Sequence, residues 1–342
     1  MAASSELLFY QPETVSNASS NGGRLTATEI PTSVKNNVWP DVPHAEQETG
    51  STKYRKIFYK FSNDDDIALA SPRVFVENPS PGGDRVLIFP GTQTDTQGDL
   101  TGSERLYGTG ALDLDVSAGA SSVDVLVEDA ADAVFQDGDL IRISDMADIS
   151  DAGGAEEFIR LAATGAVSWN GNKATLVFES GVTLSNAYSA ALTRVGSVIE
   201  SADIQGGWDS WGGSTAAGTY DGETPPTAPT TNVPLLDSIG SIEQTWTITF
   251  TTATAFTCSG DTVGSVSGGS ISTDFAPNNS DFSKPYFTLP FAGWGGTWAP
   301  GDILTFTTHP AAVGIWWKRV IPAGAGSLSA NRVFVAITGE AA

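Results

Sequence analysis

Two histidines, His44 and His309, and one cysteine, Cys258, make up the whole stock of imidazole and thiol chemistry in this chain. A histidine/cysteine metal site needs three or four ligands at workable spacing, and one thiol with two distant imidazoles does not supply them. His44 sits in PDVPHAE, and His309 lies between a strand-like run and Pro310. Cys258 belongs to the apolar run Thr254–Cys258, which suits a small buried hydrophobe better than a reactive thiol. No G-x-S-x-G, phosphate loop or dinucleotide fingerprint occurs in a strand-to-helix context, and the glycines fall in turns. Carboxylates are abundant, with 40 Asp and Glu against 17 Lys and Arg. Two acids could converge for glycoside hydrolysis, and aromatic-rich β-surfaces with many aspartates also suit sugar recognition. Asp64, Asp65 and Asp66 are candidate calcium ligands, but no twelve-residue EF-hand loop follows them, and a solvated turn is the preferred reading. The stretch Asp145–Glu157 reads in the same way as a Gly-rich acidic loop. No residue is therefore offered as catalytic, and neither a cofactor nor a resident metal is expected.

The balance of charge narrows the partners. A formal net charge of -23 over 342 residues opposes nucleic-acid binding, which needs clustered Lys and Arg, and opposes an anionic membrane surface. The N-terminal sequence MAASSELLFYQPET has an early Glu and no long apolar run, so no signal peptide is expected. Nothing elsewhere reaches the length of a membrane-spanning helix. With a single cysteine no intrachain disulfide is available, which fits folding in a reducing cytoplasm. The basic residues are unevenly spread: Arg24, Lys35, Lys53, Arg55, Lys56, Lys60, Arg73 and Arg85 precede Phe89, whereas Lys284 stands alone between Ser201 and Trp317. A basic N-terminal part facing acidic neighbours, other copies of this chain among them, is one reading; a plain solvated face is the other.

The elements that position these residues read as β throughout. Threonine, aromatic and β-branched residues alternate from Gly240 to Val320, and Gly, Pro, Asn and Asp cut them into short pieces. The expected fold is all-β and multi-domain. Residues 1–50 read as an extended N-terminal arm that is either disordered or lies along a partner, with apolar anchors that favour the partner, so that removing it should leave the rest folded. Residues 51–106 read as a small antiparallel unit built on KYRKIFYKFS. Residues 107–200 read as a small β-barrel or sandwich module, with hairpin turns at Gln136–Asp139 and at Asn170-Gly171. Residues 201–236 hold Pro225, Pro226, Pro229 and Pro234 and read as a linker or long loop. Residues 237–342 read as an immunoglobulin-like β-sandwich.

Interface candidates follow from that layout. Trp316 and Trp317 are adjacent in a strand, so they must point to opposite faces, and one is expected to face outward beside Lys318 and Arg319. Trp208 and Trp211 either dock a partner or cover their own core. With Trp39 in the arm and Lys53, Arg55 and Lys56 in the first strand, these residues make up the expected subunit contacts.

Several strings carry a resemblance: GRLTATEIPTSVKNNVWPDV followed by TKYRKIFYK, NDDDIALASPRVFVENPSPGGDRVLIFPGTQTD, GSIEQTWTITFTTATAFTCSGDTVGSVSGG, and APNNSDFSKPYFTLPFAGWGGTWAPGDILTFTTHPAAVGIWWKRVIPAG. Together they span most of the chain and resemble structural proteins of tailed-bacteriophage virions, in transposable and related phages. The resemblance implies a non-enzymatic virion component of the tail, tail tip or baseplate, assembled in the host cytoplasm through contacts with its own copies and other virion proteins. It brings no catalytic motif. A capsid decoration protein is the first alternative, and a glycan-binding or glycan-active tail appendage touching the host surface is the second. The chain shows no heptads and no internal period that a trimeric fibre would need.

Overall fold

The run KYRKIFYKF forms the middle of a five-stranded antiparallel sheet, and its neighbours come from opposite ends of the chain. Strand Ser51–Phe61 pairs on one side with Leu7–Thr14 and on the other with Ala312–Ile321. Gly22–Glu29 lies outside the first of these and Arg85–Pro90 outside the second. The computed structural model describes residues 4–341, apart from 33, 148–150, 152, 216, 222–231, 327 and 329–330. Strand content is 47% and helix content 5%, so the molecule is nearly all-β with several sheets, none of which closes into a barrel among the described residues.

The five-stranded sheet packs one face on a three-stranded sheet of Ile199–Glu200, Leu69–Asn78 and Phe334–Ala341. Ile57, Tyr59, Phe61, Val74, Val76, Ile88, Ile315, Trp317 and Ile337 fill the space between them. Every residue from Arg55 to Phe61 is buried, so the alternation of charge and aromatic residues in this strand does not separate solvent from core. Both faces are covered instead, in the manner of a strand central to a layered domain.

Three expectations about domain layout are corrected. The N-terminal segment contributes two paired strands, not an arm: Leu7, Leu8, Phe9 and Tyr10 stand opposite Phe61, Lys60, Tyr59 and Phe58. Ser, Asn and Thr hid these strands because their polar residues occupy an irregular, bulged hairpin. The C-terminal segment does not close on itself, since Ala312–Ile321 and Phe334–Ala341 leave it for the two N-terminal sheets. Finally, Gly207–Ser214, in the expected linker, is a strand paired to Ile303–His309. Its glycines gave no alternation to read. Pro225, Pro226 and Pro229 lie outside the described residues.

The middle module is a seven-stranded sheet in the order Val167–Asn170, Lys173–Val177, Ser122–Leu126, Thr109–Leu112, Arg194–Ser197, Leu140–Ser144, Glu156–Arg160. It curls around a core that includes Val125, Phe135, Ile141, Ile143, Leu176 and Val195. A single bridge, Leu161 to Phe178, joins its two sides. The Asn170-Gly171 hairpin forms where expected, with Gly171 at φ 59, a left-handed value that suits glycine.

The largest of the remaining sheets runs Gly207–Ser214, Ile303–His309, Gln244–Phe250, Ala255–Gly260, Gly264–Ser265. Its inner face carries an aromatic core that includes Trp246, Phe250, Phe256, Phe287, Trp298 and Phe306. Phe250 stacks on Trp298 with centroids 4.2 Å apart. Most of the tryptophan surplus in this part of the chain is used here, inside one core.

Candidate functional site

The expected contact residues are, with few exceptions, interior. Trp316 and Trp317 do point to opposite faces, and both are buried. Trp317 enters the sandwich, where its Nε1–H donates to the Tyr59 hydroxyl at 3.1 Å. Trp316 lies on the other face, stacked on Phe89 with rings 12° apart. Its Nε1–H donates to Asp95 Oδ2 at 2.8 Å. The loop Gly91–Asp99 and the start of Gly22–Glu29 cover this face, so neither indole is left for a neighbour. The outward Trp317 expected from sequence is thus corrected: a sheet covered on both sides has no outward face here.

Three more expected contacts prove to be internal. Lys56 has no exposed side-chain surface and places Nζ 2.6 Å from Asp95 Oδ1. It also donates to the Gly23 carbonyl at 2.7 Å and the Asp95 carbonyl at 3.1 Å, so all three ammonium protons are used. Burial lowers its pKa and the Asp95 carboxylate opposes that shift. Arg55 and Arg319 both lie over the Trp39 ring, with guanidinium carbons 4.7 and 4.5 Å from its centroid. All three residues are buried. Burial lowers the pKa of Arg55, and the neighbouring Arg319 lowers it further. The indole offers π-density to both cations, and the Asp84 and Glu46 carboxylates also act on Arg319. Lys53 is ion-paired to Glu46. Trp211 packs on Tyr220 and Phe306, with Trp208 against it at the margin of the core. Of the expected set, Lys318 and Trp208 retain partial exposure without an ion pair or a place in a core.

The groups that could do chemistry are also placed. Cys258 is buried, and burial pushes its thiol up to about 12. His44 is an exposed neighbour of Glu48 on the short helix His44–Thr49. His309 Nδ1 lies 2.7 Å from Glu243 Oε2 and Nε2 lies 3.2 Å from Asp209 Oδ2. Burial alone would lower the pKa of this imidazole, but the two carboxylates outweigh it and raise it. Asp64 pairs with Lys284 at 3.0 Å, and Asp66 Oδ1 accepts from the Ser238 backbone N–H at 2.7 Å. Two of the three expected calcium candidates, Asp64 and Asp66, therefore join the N-terminal sheets to the C-terminal module. Among the described residues no group of three or more His, Cys, Asp or Glu is arranged to hold a metal ion.

That seam also contains Lys60, fully buried, whose Nζ donates to the Ser238 carbonyl at 2.6 Å and faces the Phe282 ring at 5.3 Å. Burial depresses its pKa to about 8, with Asp237 opposing. Further along, Arg24 clasps Asp261 through two nitrogens at 2.9 and 2.6 Å. Between these anchors the bulged hairpin and the C-terminal sheet leave a groove of about 170 Å³. Leu25, Ile242 and Phe282 give it apolar walls, while Glu13, Glu243 and Asp281 add carboxylates. Gln244 and Asn279 also line it, but both amides are occupied internally. Tyr286, 8% exposed, also lines the groove. Burial, reinforced by the Asp281 charge, raises the phenol pKa and keeps it protonated.

The groove was not legible in sequence, because its two walls lie over two hundred residues apart and neither holds a motif. The only signal was the coexistence of aromatics and acids in SDFSKPYF. Comparison of the chain with family models, with curated proteins and with solved structures gives no match.

Proposed function

We propose that this chain is a non-enzymatic structural component of a tailed-phage particle, placed in the tail, tail tip or baseplate and acting through subunit contacts. The phage part of the reading rests on the resemblance of the strings quoted above. The non-enzymatic part is carried by one observation: the half-buried imidazole of His309 has both nitrogens held by carboxylates, in a chain whose one thiol is sealed in a core. An imidazole with a carboxylate on each nitrogen is engaged as an internal bridge. The interlocked sheet suits a building block, since strands from both ends of the chain flank Ser51–Phe61. Subunit contacts then fall to the surface that remains, such as Trp208, Lys318 and the strongly exposed Leu114 and Leu192.

Gold labelling of intact particles with an antibody to this chain tests the reading. Label on the tail or its tip is the expected outcome. Label confined to the head would replace it with the capsid-decoration alternative, and particles without label would overturn both. A second reading, a sugar-binding appendage, is favoured by the groove beside Tyr286.

A further inference from the structure

We infer that Arg55, Arg319 and Trp39 form a binding site for one small monovalent anion of halide size. In the antiparallel register Arg55 stands opposite Trp317 and Arg319 opposite Lys53, so both guanidinium groups rise from one face of the central sheet. Both reach the ring of Trp39, which is the one buried residue between positions 34 and 50. Four nitrogens of this trio are shut from solvent and have no hydrogen-bond partner among the described residues: Trp39 Nε1, Arg55 Nε, and Arg319 Nε and Nη2. Buried donors are ordinarily paired, and each one left without an acceptor is costly. Here four gather around one ring. Other nitrogens of the pair are held internally: Arg319 Nη1 donates to the Pro40 carbonyl at 3.3 Å, and Arg55 Nη1 to the Ser16 and Tyr54 carbonyls at 2.6 and 2.7 Å.

Guanidinium and indole groups only donate, so the missing partner is an acceptor, and two neighbouring cations call for one with negative charge. Nε and Nη2 are the side-on edge of the Arg319 fork, two parallel donors that grip an anion at once. The nearby carboxylates do not fill this place. Glu46 accepts from Lys53 and the Ser51 hydroxyl, and Asp84 from Ser80 and the Asn331 amide; neither is hydrogen-bonded to Arg319. They act on Arg319 through space, yet burial still leaves its pKa lowered, and Arg55 is lowered by burial and by the Arg319 charge. Because those carboxylates already offset part of the positive potential, a single further negative charge suffices. Each of the three side-chain-bearing residues is 8% exposed or less, which selects a one-atom ion over a bulky one.

The test uses the full chain, dialysed into sodium gluconate and titrated with sodium chloride or sodium bromide at constant ionic strength. The melting temperature should rise and saturate with chloride, as binding to the folded state alone requires, and bromide should reproduce the rise. Gluconate, too large to enter, should not. Arg319→Lys keeps the charge and loses the fork; Trp39→Phe keeps a ring and loses the N–H. Each should raise the half-saturating chloride concentration at least about tenfold, as loss of a hydrogen bond to a charged group implies. Trp39→Phe decides if Arg319→Lys fails to fold, and broadening of the chloride NMR signal by the folded parent, relieved by bromide, gives a second measure on the unaltered chain. No response to chloride would mean that water alone serves these donors and would overturn the assignment. So would a rise that does not saturate, or one of the same half-saturation in every folded variant.

Discussion

Lys56 Nζ lies 2.6 Å from Asp95 Oδ1, inside a sheet face that water does not reach on the lysine side. The pair fastens the loop after Arg85–Pro90 onto the central strand, and Trp316 holds the second carboxylate oxygen. Asp95→Ala would leave the ammonium without its counter-charge. A loss of about 3–5 kcal/mol in denaturant-derived stability is expected. The pair Lys56→Met with Asp95→Asn should recover part of that loss; equal stability of the single and parent chains would remove the clasp from this account.

Arg55 and Arg319 share the Trp39 ring. Trp39→Ala would open a cavity and leave two buried guanidinium groups, which already repel each other, without that ring. The expected cost is about 3–5 kcal/mol, at the level of large aromatic truncations. Adding Arg319→Met should cost less than the sum of the two single changes, because the repulsion disappears with the second cation. Additive losses in urea titrations would argue against this shared contact.

Lys60 couples stability to alkaline pH. Its folded pKa is depressed to about 8, below the unfolded value near 10.5. Between those values the unfolded chain holds a proton that the folded chain has released, so this group makes stability rise with pH across the window. Lys60→Met should therefore be more stable than the parent at pH 7 by up to about 3 kcal/mol, and the advantage should shrink toward pH 10. A difference independent of pH would show that the lysine is not held in an apolar site.

His309 acts in the opposite direction and more weakly. Its pKa is raised by Glu243 and Asp209, so the bridge between the strands carrying them is complete below the unfolded histidine value of about 6.5. That contribution is lost as pH climbs through the folded pKa. The group is partly exposed, and the effect should stay below about 1 kcal/mol. Hydrogen exchange should show faster opening of Gly207–Ser214 above that pH, and His309→Gln should flatten the dependence.

A chain lacking residues 1–50 should not fold as the parent does, because it removes the strand opposite Phe58–Phe61. The segment 237–342 alone should fail as well, since the strand that carries Trp316 and Trp317 pairs on both sides with N-terminal strands. Circular dichroism and near-ultraviolet spectra of the two truncated chains check both outcomes.

The strand content was legible because alternation and turn residues mark strands locally: Val167–Val177 with its Asn-Gly turn, and QTWTITF with its Thr and aromatic faces. Pairing was not. Nothing in VGIWWKRV says that its partners are KYRKIFYK and RVLIFP, as those choices depend on which faces become covered. The same gap explains the interface residues. Arg55, Lys56 and Arg319 carry the charge of a surface, and only the Asp95 loop and the Trp39 ring, both distant in sequence, convert them to interior groups.

Trp317 and Tyr59 meet across 258 positions of chain. During synthesis the central strand emerges early and must wait for Ala312–Ile321. At about 5–20 residues per second the interval is roughly 13–50 s. Through that time one long edge of Ser51–Phe61, rich in aromatic residues, has no mate. The nascent chain is thus most vulnerable to mispairing with its siblings on the same message, and a chaperone that shields strand edges would act on it before release.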